Sequence, residues 1–253
     1  MALFEARALH KRFGDRVVLE RIDLAFEEGA LAGIMGPNGA GKTTCFNVLT
    51  GRYKPDGGQV VFAGEDITGW RPHRAAARGL VRTFQLATLF QELTALENVL
   101  LGLHLRSRTG LRQVLFSRRI FPPDEVALSR GVLEFAGLAS HADQLAKNLP
   151  HGYQRVLGIA MALAARPRLL LLDEPVTGMN LMESAQVMSL IKRIRDGGTT
   201  ILLVEHNMKA VMGTCDRIVV LNFGRKLAEG TPAAVSTSAA VIEAYLGAGV
   251  AHA

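Results

Sequence analysis

Apolar and polar positions change rhythm along this chain, and the changes mark out its elements. The stretch VVLERIDLAF (Val17 to Phe26) alternates with a period of two, as a half-buried strand does. ALAGIMG (Ala30 to Gly36) is instead a continuous apolar run ended by glycine, the mark of a fully buried strand. Pro55-Asp56-Gly57-Gly58 predicts a turn before a further strand in QVVFAG. The first 85 or so residues therefore read as short strands joined by turns.

From about Thr88 to Ala165 the pattern is helical, with Pro123 and the acids Asp124 and Glu125 suited to a helix's first turn. After Pro167 strands return: RLLLLD, then a helix from about Met182 to Arg195, then TTILLVE and RIVVLN. Thr231-Pro232 reads as an N-cap and first-turn pair opening a last helix towards Tyr245. No repeat, low-complexity tract or linker interrupts this order. The pattern predicts an α/β core interrupted by a helical insertion.

Composition narrows the class. Of the 253 residues, 49% are hydrophobic and 21% charged, which predicts a folded chain with a sizeable core. No uncharged apolar run reaches the 18 or so residues of a membrane span, and the first residues lack the basic start of a secretory signal. Cys45 and Cys215 form no CxxC pattern and read as buried thiols in a reducing compartment. The net charge of +6 raises nucleic acid or an anionic membrane as partners. Basic residues do cluster, as in Arg106-Ser107-Arg108 and Ser117-Arg118-Arg119, but no aromatic-interleaved basic stripe accompanies them and aromatics are only 6%, which argues against nucleic acid.

Chemistry is concentrated in GPNGAGKTT. Gly36, Pro37, Asn38, Gly39, Ala40, Gly41, Lys42, Thr43 and Thr44 fit the G-x-x-x-x-G-K-[ST] pattern between an apolar strand and a predicted helix (Thr43 to Leu49). Glycines let backbone N–H groups converge on a β-phosphate, and the helix N-terminus adds its dipole. Lys42 would contribute a point charge to the β- and γ-phosphates, and Thr43 a hydroxyl to Mg²⁺. Further on, LLLLDEP delivers Asp173 and Glu174 at the end of an apolar strand, an unfavourable place for two carboxylates without a role. Asp173 would hold Mg²⁺, mostly through water, and Glu174 would polarise an attacking water. Hydrolysis of a nucleoside triphosphate is the reading these residues support.

Four further features follow in order: Phe13 before a glycine, Gln85 in VRTFQ, LPHGYQR (Leu149 to Arg155) one helix before LLLLDEP, and His206 in ILLVEHN. Together with the phosphate loop they make the whole chain resemble the ATP-binding subunit of ABC transporters. That resemblance implies a P-loop NTPase of ABC type: a mixed-sheet core, an N-terminal antiparallel β subdomain and an inserted helical subdomain. It implies a nucleotide-binding core over 1–87 and 166–230, a helical subdomain over 88–165 and a C-terminal helix and tail over 231–253. Phe13 would stack on adenine, and Gln85 would sense Mg²⁺ and the attacking water. His206 would contact the γ-phosphate. Pro150, His151 and Gly152 would open a helix aimed at an ATP held by a second subunit, so that two ATPs are buried between head-to-tail monomers.

The chain departs from the family's usual Leu-Ser-Gly-Gly-Gln: Pro150 stands for the serine, His151 for the first glycine and Tyr153 for the glutamine. Pro150 brings neither hydroxyl nor N–H, so the expected closure on ATP is weaker than in the serine form. Asn180, at the end of VTGMN, stands where the family commonly has aspartate. Asn180, the VRTFQ stretch, the basic insertion and the tail closing in VIEAYLG are similar to the branched-chain amino acid uptake family. That similarity implies integral membrane permeases, a second ATP-binding subunit and, indirectly, a periplasmic solute-binding protein as partners, with the chain peripheral at the cytoplasmic face of the inner membrane. The stretch Leu86 to Leu103 would receive a permease helix, with Leu89, Phe90 and Leu93 as an apolar floor or as core, and the basic insertion would face anionic lipid. Urea or amide uptake, lipopolysaccharide export and a soluble non-transport ATPase are the alternative functions.

Overall fold

The computed structural model describes residues 2–83, 89–103 and 121–250. The chain divides into two compact units, 1–80 with 171–253, and 81–170. Gln85 and the basic residues 106–119 lie outside the described residues.

In the first unit, β1 (Phe4–Phe13), β2 (Arg16–Phe26), β4 (Gly57–Phe62) and β5 (Glu65–Asp66) form an antiparallel sheet in the order β2-β1-β4-β5. The alternation in VVLERIDLAF is met: Leu19, Ile22, Leu24 and Phe26 are buried while Arg21, Asp23 and Ala25 are exposed. A second sheet has the order β10-β9-β3-β8-β7-β6, made of β10 (Arg225–Gly230), β9 (Arg217–Asn222), β3 (Leu31–Met35), β8 (Thr200–Val204), β7 (Leu169–Asp173) and β6 (Leu80–Arg82). β3 runs parallel to both β8 and β9, and β10 returns antiparallel to β9, so the sheet is mixed. Its central strands are the continuous apolar runs read from the sequence, buried on both faces as parallel strands must be. The chain leaves the first unit within β6 and returns within β7.

Helix α1 (Lys42–Leu49) follows β3, and a short α2 (Pro72–Ala77) precedes β6. After β7 come α6 (Leu181–Asp196) and α7 (Met208–Met212), the latter leading from β8 to β9. The tail differs from the single helix expected after Thr231. Thr231 does cap α8 (Pro232–Ser236), accepting from the Ala234 N–H, but a second helix, α9 (Ala239–Val250), starts separately. The break has a local cause. Ser236 and Thr237 turn their hydroxyls back onto the carbonyls of Ala233 and Ala234, competing with helix propagation.

The second unit is built on α3 (Ala95–Gly102), α4 (Pro123–Phe135) and α5 (His151–Ala164). Thr94 and Glu97 form a reciprocal capping box at the start of α3. Leu89, Leu96, Val99, Leu133, Leu138, Leu149 and Leu157 are among its core residues. Leu89 therefore belongs to the core and not to an outward floor, whereas Phe90 is half exposed. Gly102 lets α3 approach the backbone of α5, since a Cβ there would lie 2.2 Å from the Met161 carbonyl oxygen. Gly102→Ala is expected to force these helices apart at a loss of about 1–3 kcal/mol. Thermal unfolding checks it: a melting temperature lowered by several degrees is expected, and an unchanged one removes the close-approach argument.

Candidate functional site

The site grows from the end of β3. Gly36 closes that strand, and Gly39 and Gly41 adopt positive φ of 78° and 96°, so that the chain turns tightly into α1. Gly41 is the N-cap of α1 and brings no side chain to cap it, and no acid stands in the first turn. The first N–H groups of α1 are thus left for an acceptor from outside the helix. Asn38 and Thr43 are exposed at this face, and Ala40 is buried beneath it.

Lys42 is folded back on its own loop. Its Nζ donates to the carbonyl oxygens of Gly36 at 2.7 Å and Pro37 at 2.9 Å, and only 8% of the residue is exposed. Burial pulls its pKa below the ordinary lysine value, and the charge of Glu174 acts the other way. An ammonium held by two neutral carbonyls gains more from a phosphate's full charges.

Asp173 and Glu174 stand at the end of β7, as the apolar run predicted. Glu174 sits in the left-handed region at φ 46°, a strained place for a non-glycine residue and one typical of functional sites. Its N–H donates to the Val204 carbonyl, and its Oε2 accepts from the Thr177 hydroxyl at 3.2 Å. Its Oε1 lies 3.7 Å from Nδ1 of His206, which follows β8. The structure thus brings together Lys42, Glu174 and His206, which are far apart in sequence.

Sequence reasoning missed Glu205. This carboxylate is fully buried and accepts three backbone N–H bonds, from Val176 at 2.9 Å, His206 at 3.1 Å and Asn207 at 3.3 Å. It joins the turn after Glu174 to the turn that carries His206. Its signal was present in ILLVEHN: an acid directly after an apolar strand needs donors around it.

Phe13, at the end of β1, is 45% exposed and presents a ring to solvent. Tyr53 meets it edge-on with centroids 5.4 Å apart, and the Lys11 ammonium lies 5.3 Å from its centroid. Tyr53 is a second residue that the sequence did not single out. Asn180 is the N-cap of α6: its side-chain oxygen accepts from the N–H groups of Met182 and Glu183 at 2.9 Å, and its backbone N–H donates to the Glu183 carboxylate at 3.0 Å. Asparagine caps a helix as well as aspartate does, so the departure at this position keeps the helix start intact.

In the second unit, Pro150 is the N-cap of α5, and His151 and Gly152 open it. This helix, like α1, has no side-chain cap and no acid in its first turn. Its N-terminal N–H groups are therefore available, apart from the donor that Pro150 lacks. The ring of Tyr153 lies tilted against that of His141 with centroids 4.8 Å apart, a ring contact the usual glutamine could not make. Both cysteines are buried, and burial pushes each thiol up to about 12, which leaves them inert packing groups.

Comparison with known proteins accords with this geometry. The ABC transporter family model matches residues 19–177, and one described as branched-chain amino acid ATP-binding cassette transporter matches 225–251. The high-affinity branched-chain amino acid transport ATP-binding protein BraF of Pseudomonas aeruginosa is 42% identical over 249 residues, covering 97% of this chain and 98% of its own. LivG of Salmonella typhimurium, of the same description, is 43% identical with the same coverage. The lipopolysaccharide export ATP-binding protein LptB of Haemophilus influenzae is more distant, at 31% identity over 98% of both chains. A solved ATP-binding cassette of an ABC transporter, in its ADP conformation, superposes with a TM-score of 0.87 at 30% identity, covering 98% of this chain and 99% of its own.

Proposed function

The chain belongs to the ABC transporter family of ATP-binding cassettes, and from that premise we propose that it hydrolyses ATP to drive branched-chain amino acid uptake through integral membrane permeases. The observation that carries the chemistry is the apposition of Glu174 and His206 beside a lysine whose hydrogen bonds, among the described residues, go to its own loop carbonyls. The cargo rests on the relatives: identity to the BraF and LivG proteins of Pseudomonas aeruginosa and Salmonella typhimurium is 42–43%, against 31% to the lipopolysaccharide export protein.

In this reading the triphosphate lies on the N-terminus of α1, and Lys42 exchanges the Gly36 and Pro37 carbonyls for β- and γ-phosphate oxygens. Adenine stacks on Phe13, whose ring Tyr53 steadies. Glu174 takes a proton from the attacking water, and the Thr177 hydroxyl and His206 hold its carboxylate in place. His206 also meets the γ-phosphate as charge moves onto the leaving oxygen. Mg²⁺ fits the Thr43 hydroxyl and Asp173, a small oxygen set of the kind it takes when phosphates complete its shell, and it would neutralise phosphate charge there. Gln85 is assigned to the same ion by resemblance.

The second layer of the proposal is a head-to-tail pair in which Pro150, His151 and Gly152 of one subunit complete the ATP site of the other. The uncapped start of α5 supports it. Association with permeases places the chain at the cytoplasmic face of the membrane; among the described residues no helix is long and apolar enough to cross it.

Lys42→Ala tests the nucleotide site. Removing a charge-assisted contact to two phosphates is expected to weaken MgATP binding at least about 10²-fold, as read by calorimetric titration. Equal affinity in the native and variant chains would remove the site. Cargo is tested separately by uptake of labelled leucine into vesicles carrying the permeases and this subunit; uptake independent of ATP, or export of lipopolysaccharide in its place, would overturn the import reading.

A further inference from the structure

Between the end of α1 and the start of β4 the chain makes a short connection, and that connection reaches the exposed ring of Phe13 in two ways. It leaves α1 tightly, with the Asn47 carbonyl accepting the N–H groups of Arg52 at 2.9 Å and Tyr53 at 3.1 Å. Tyr53 then meets the Phe13 ring edge-on. Three residues on, Asp56 turns to the backbone that carries the ring. Its N–H donates to the His10 carbonyl at 2.9 Å, and its carboxylate accepts the Arg12 N–H at 2.6 Å.

The register explains this grip. β1 runs on to Phe13, but its pairing with β4 ends where His10 stands opposite Gly57. The Arg12 N–H lies past the end of β4, and Asp56 supplies from a side chain the acceptor that a longer strand would have given. The same carboxylate takes the Lys11 ammonium at 3.1 Å. Lys11 and Phe13 are two apart on a strand and so share a face, and the tethered ammonium stands 5.3 Å from the ring centroid. The Arg12 N–H first, and Lys11 after it, hold the Asp56 carboxyl below its ordinary value, so it is charged at physiological pH.

We propose that Asp56 is a positioning residue for the nucleotide base: by holding the Arg12 N–H and the Lys11 ammonium it fixes the unpaired end of β1, so that the Phe13 ring stands ready for stacking. The inference rests on the nucleotide reading of the site. It also gives the connection after α1 a role. That helix begins at the phosphate loop and ends in the segment that carries Tyr53 and Asp56, so one stretch of chain sets the separation between the phosphate site and the base platform.

The test is a double-mutant cycle of Asp56→Ala and Phe13→Ala in the full chain, with MgATP as the probe in calorimetric titration. Phe13→Ala is expected to weaken binding about tenfold or more, the worth of a lost stacking contact. Asp56→Ala is expected to weaken it about three- to tenfold when Phe13 is present, and less than about twofold when Phe13 is gone. Asp56→Asn keeps an oxygen for the Arg12 N–H and is expected to recover part of the loss. In hydrolysis the loss is expected in KM, with kcat changed by less than about twofold, as for a group that aids binding and not the reacting geometry. Hydrogen exchange gives a separate readout: the Arg12 amide is expected to exchange faster in Asp56→Ala than in the native chain. An aspartate that serves only the fold predicts a loss of equal size in both backgrounds, or a lowered kcat. Either result, or native affinity in Asp56→Ala, overturns the positioning role. If Lys42→Ala binds MgATP as tightly as the native chain, the nucleotide reading itself has failed. If Lys42→Ala weakens binding while Phe13→Ala does not, the phosphate site stands and this inference alone falls.

Discussion

Glu174→Gln is expected to leave MgATP binding within a few-fold of the native chain and to lower hydrolysis by about 10²–10⁴-fold, the range for loss of a general base. The substitution keeps the shape of the side chain and an oxygen to accept the Thr177 hydroxyl. It removes the site for a proton. The strained φ of 46° at Glu174 sets the direction in which its side chain leaves the backbone. Loss of the charge has a second consequence with a definite sign. Glu174 raises the pKa of Lys42 against the depression caused by burial. Without it that pKa falls further, so the ammonium is lost at lower pH as pH rises. MgADP affinity measured against pH is expected to decline earlier in the variant than in the native chain. Steady-state phosphate release gives the rate, and a variant that still hydrolyses at more than about a tenth of the native rate would take the base away from Glu174.

Much of this site could be read from the chain because its parts are contiguous. GPNGAGKTT holds a turn, a cradle and a charge within nine residues, and each demand falls on a residue type that sequence displays directly. The central strands were equally legible, since burial on both faces leaves an uninterrupted apolar run. What escaped depends on contacts between distant segments. Nothing in the order of residues shows that Tyr53 meets the ring of Phe13 edge-on, or that the Val176 N–H donates to the carboxylate of Glu205. Leu89 and Phe90 show the same limit at close range. Both are large and apolar, yet one is core and the other half exposed, because the turn before α3 and not composition decides which way each faces. The single helix expected after Thr231 failed for a subtler reason: hydroxyls that cap a helix at one end unravel it a few residues on.

Glu205→Gln is expected to be nearly as damaging as Glu205→Ala, although glutamine has almost the same shape. Both carboxylate oxygens are used as acceptors: Oε1 takes the Val176 N–H, and Oε2 takes those of His206 and Asn207. An amide offers one oxygen, and its NH₂ must face a backbone donor whichever way it is turned. One orientation sets it against Val176, the other against His206 and Asn207. Alanine leaves all three N–H groups unpaired in a site with no exposure. Either change removes charge-assisted bonds from a buried carboxylate, and a loss of about 3–5 kcal/mol of stability follows. Hydrolysis is expected to fall by about 10²-fold even in molecules that remain folded, because the turn holding His206 is no longer tied to the turn after Glu174, and misplacement by about 1 Å has that effect on a reacting geometry. Glu205→Asp separates the contributions. It restores two acceptor oxygens one methylene too short, so stability recovers in part while the rate stays low. Denaturant unfolding and single-turnover hydrolysis of the three variants provide the measurement. A glutamine variant with native stability and native rate would show that the two turns are held by something other than this carboxylate.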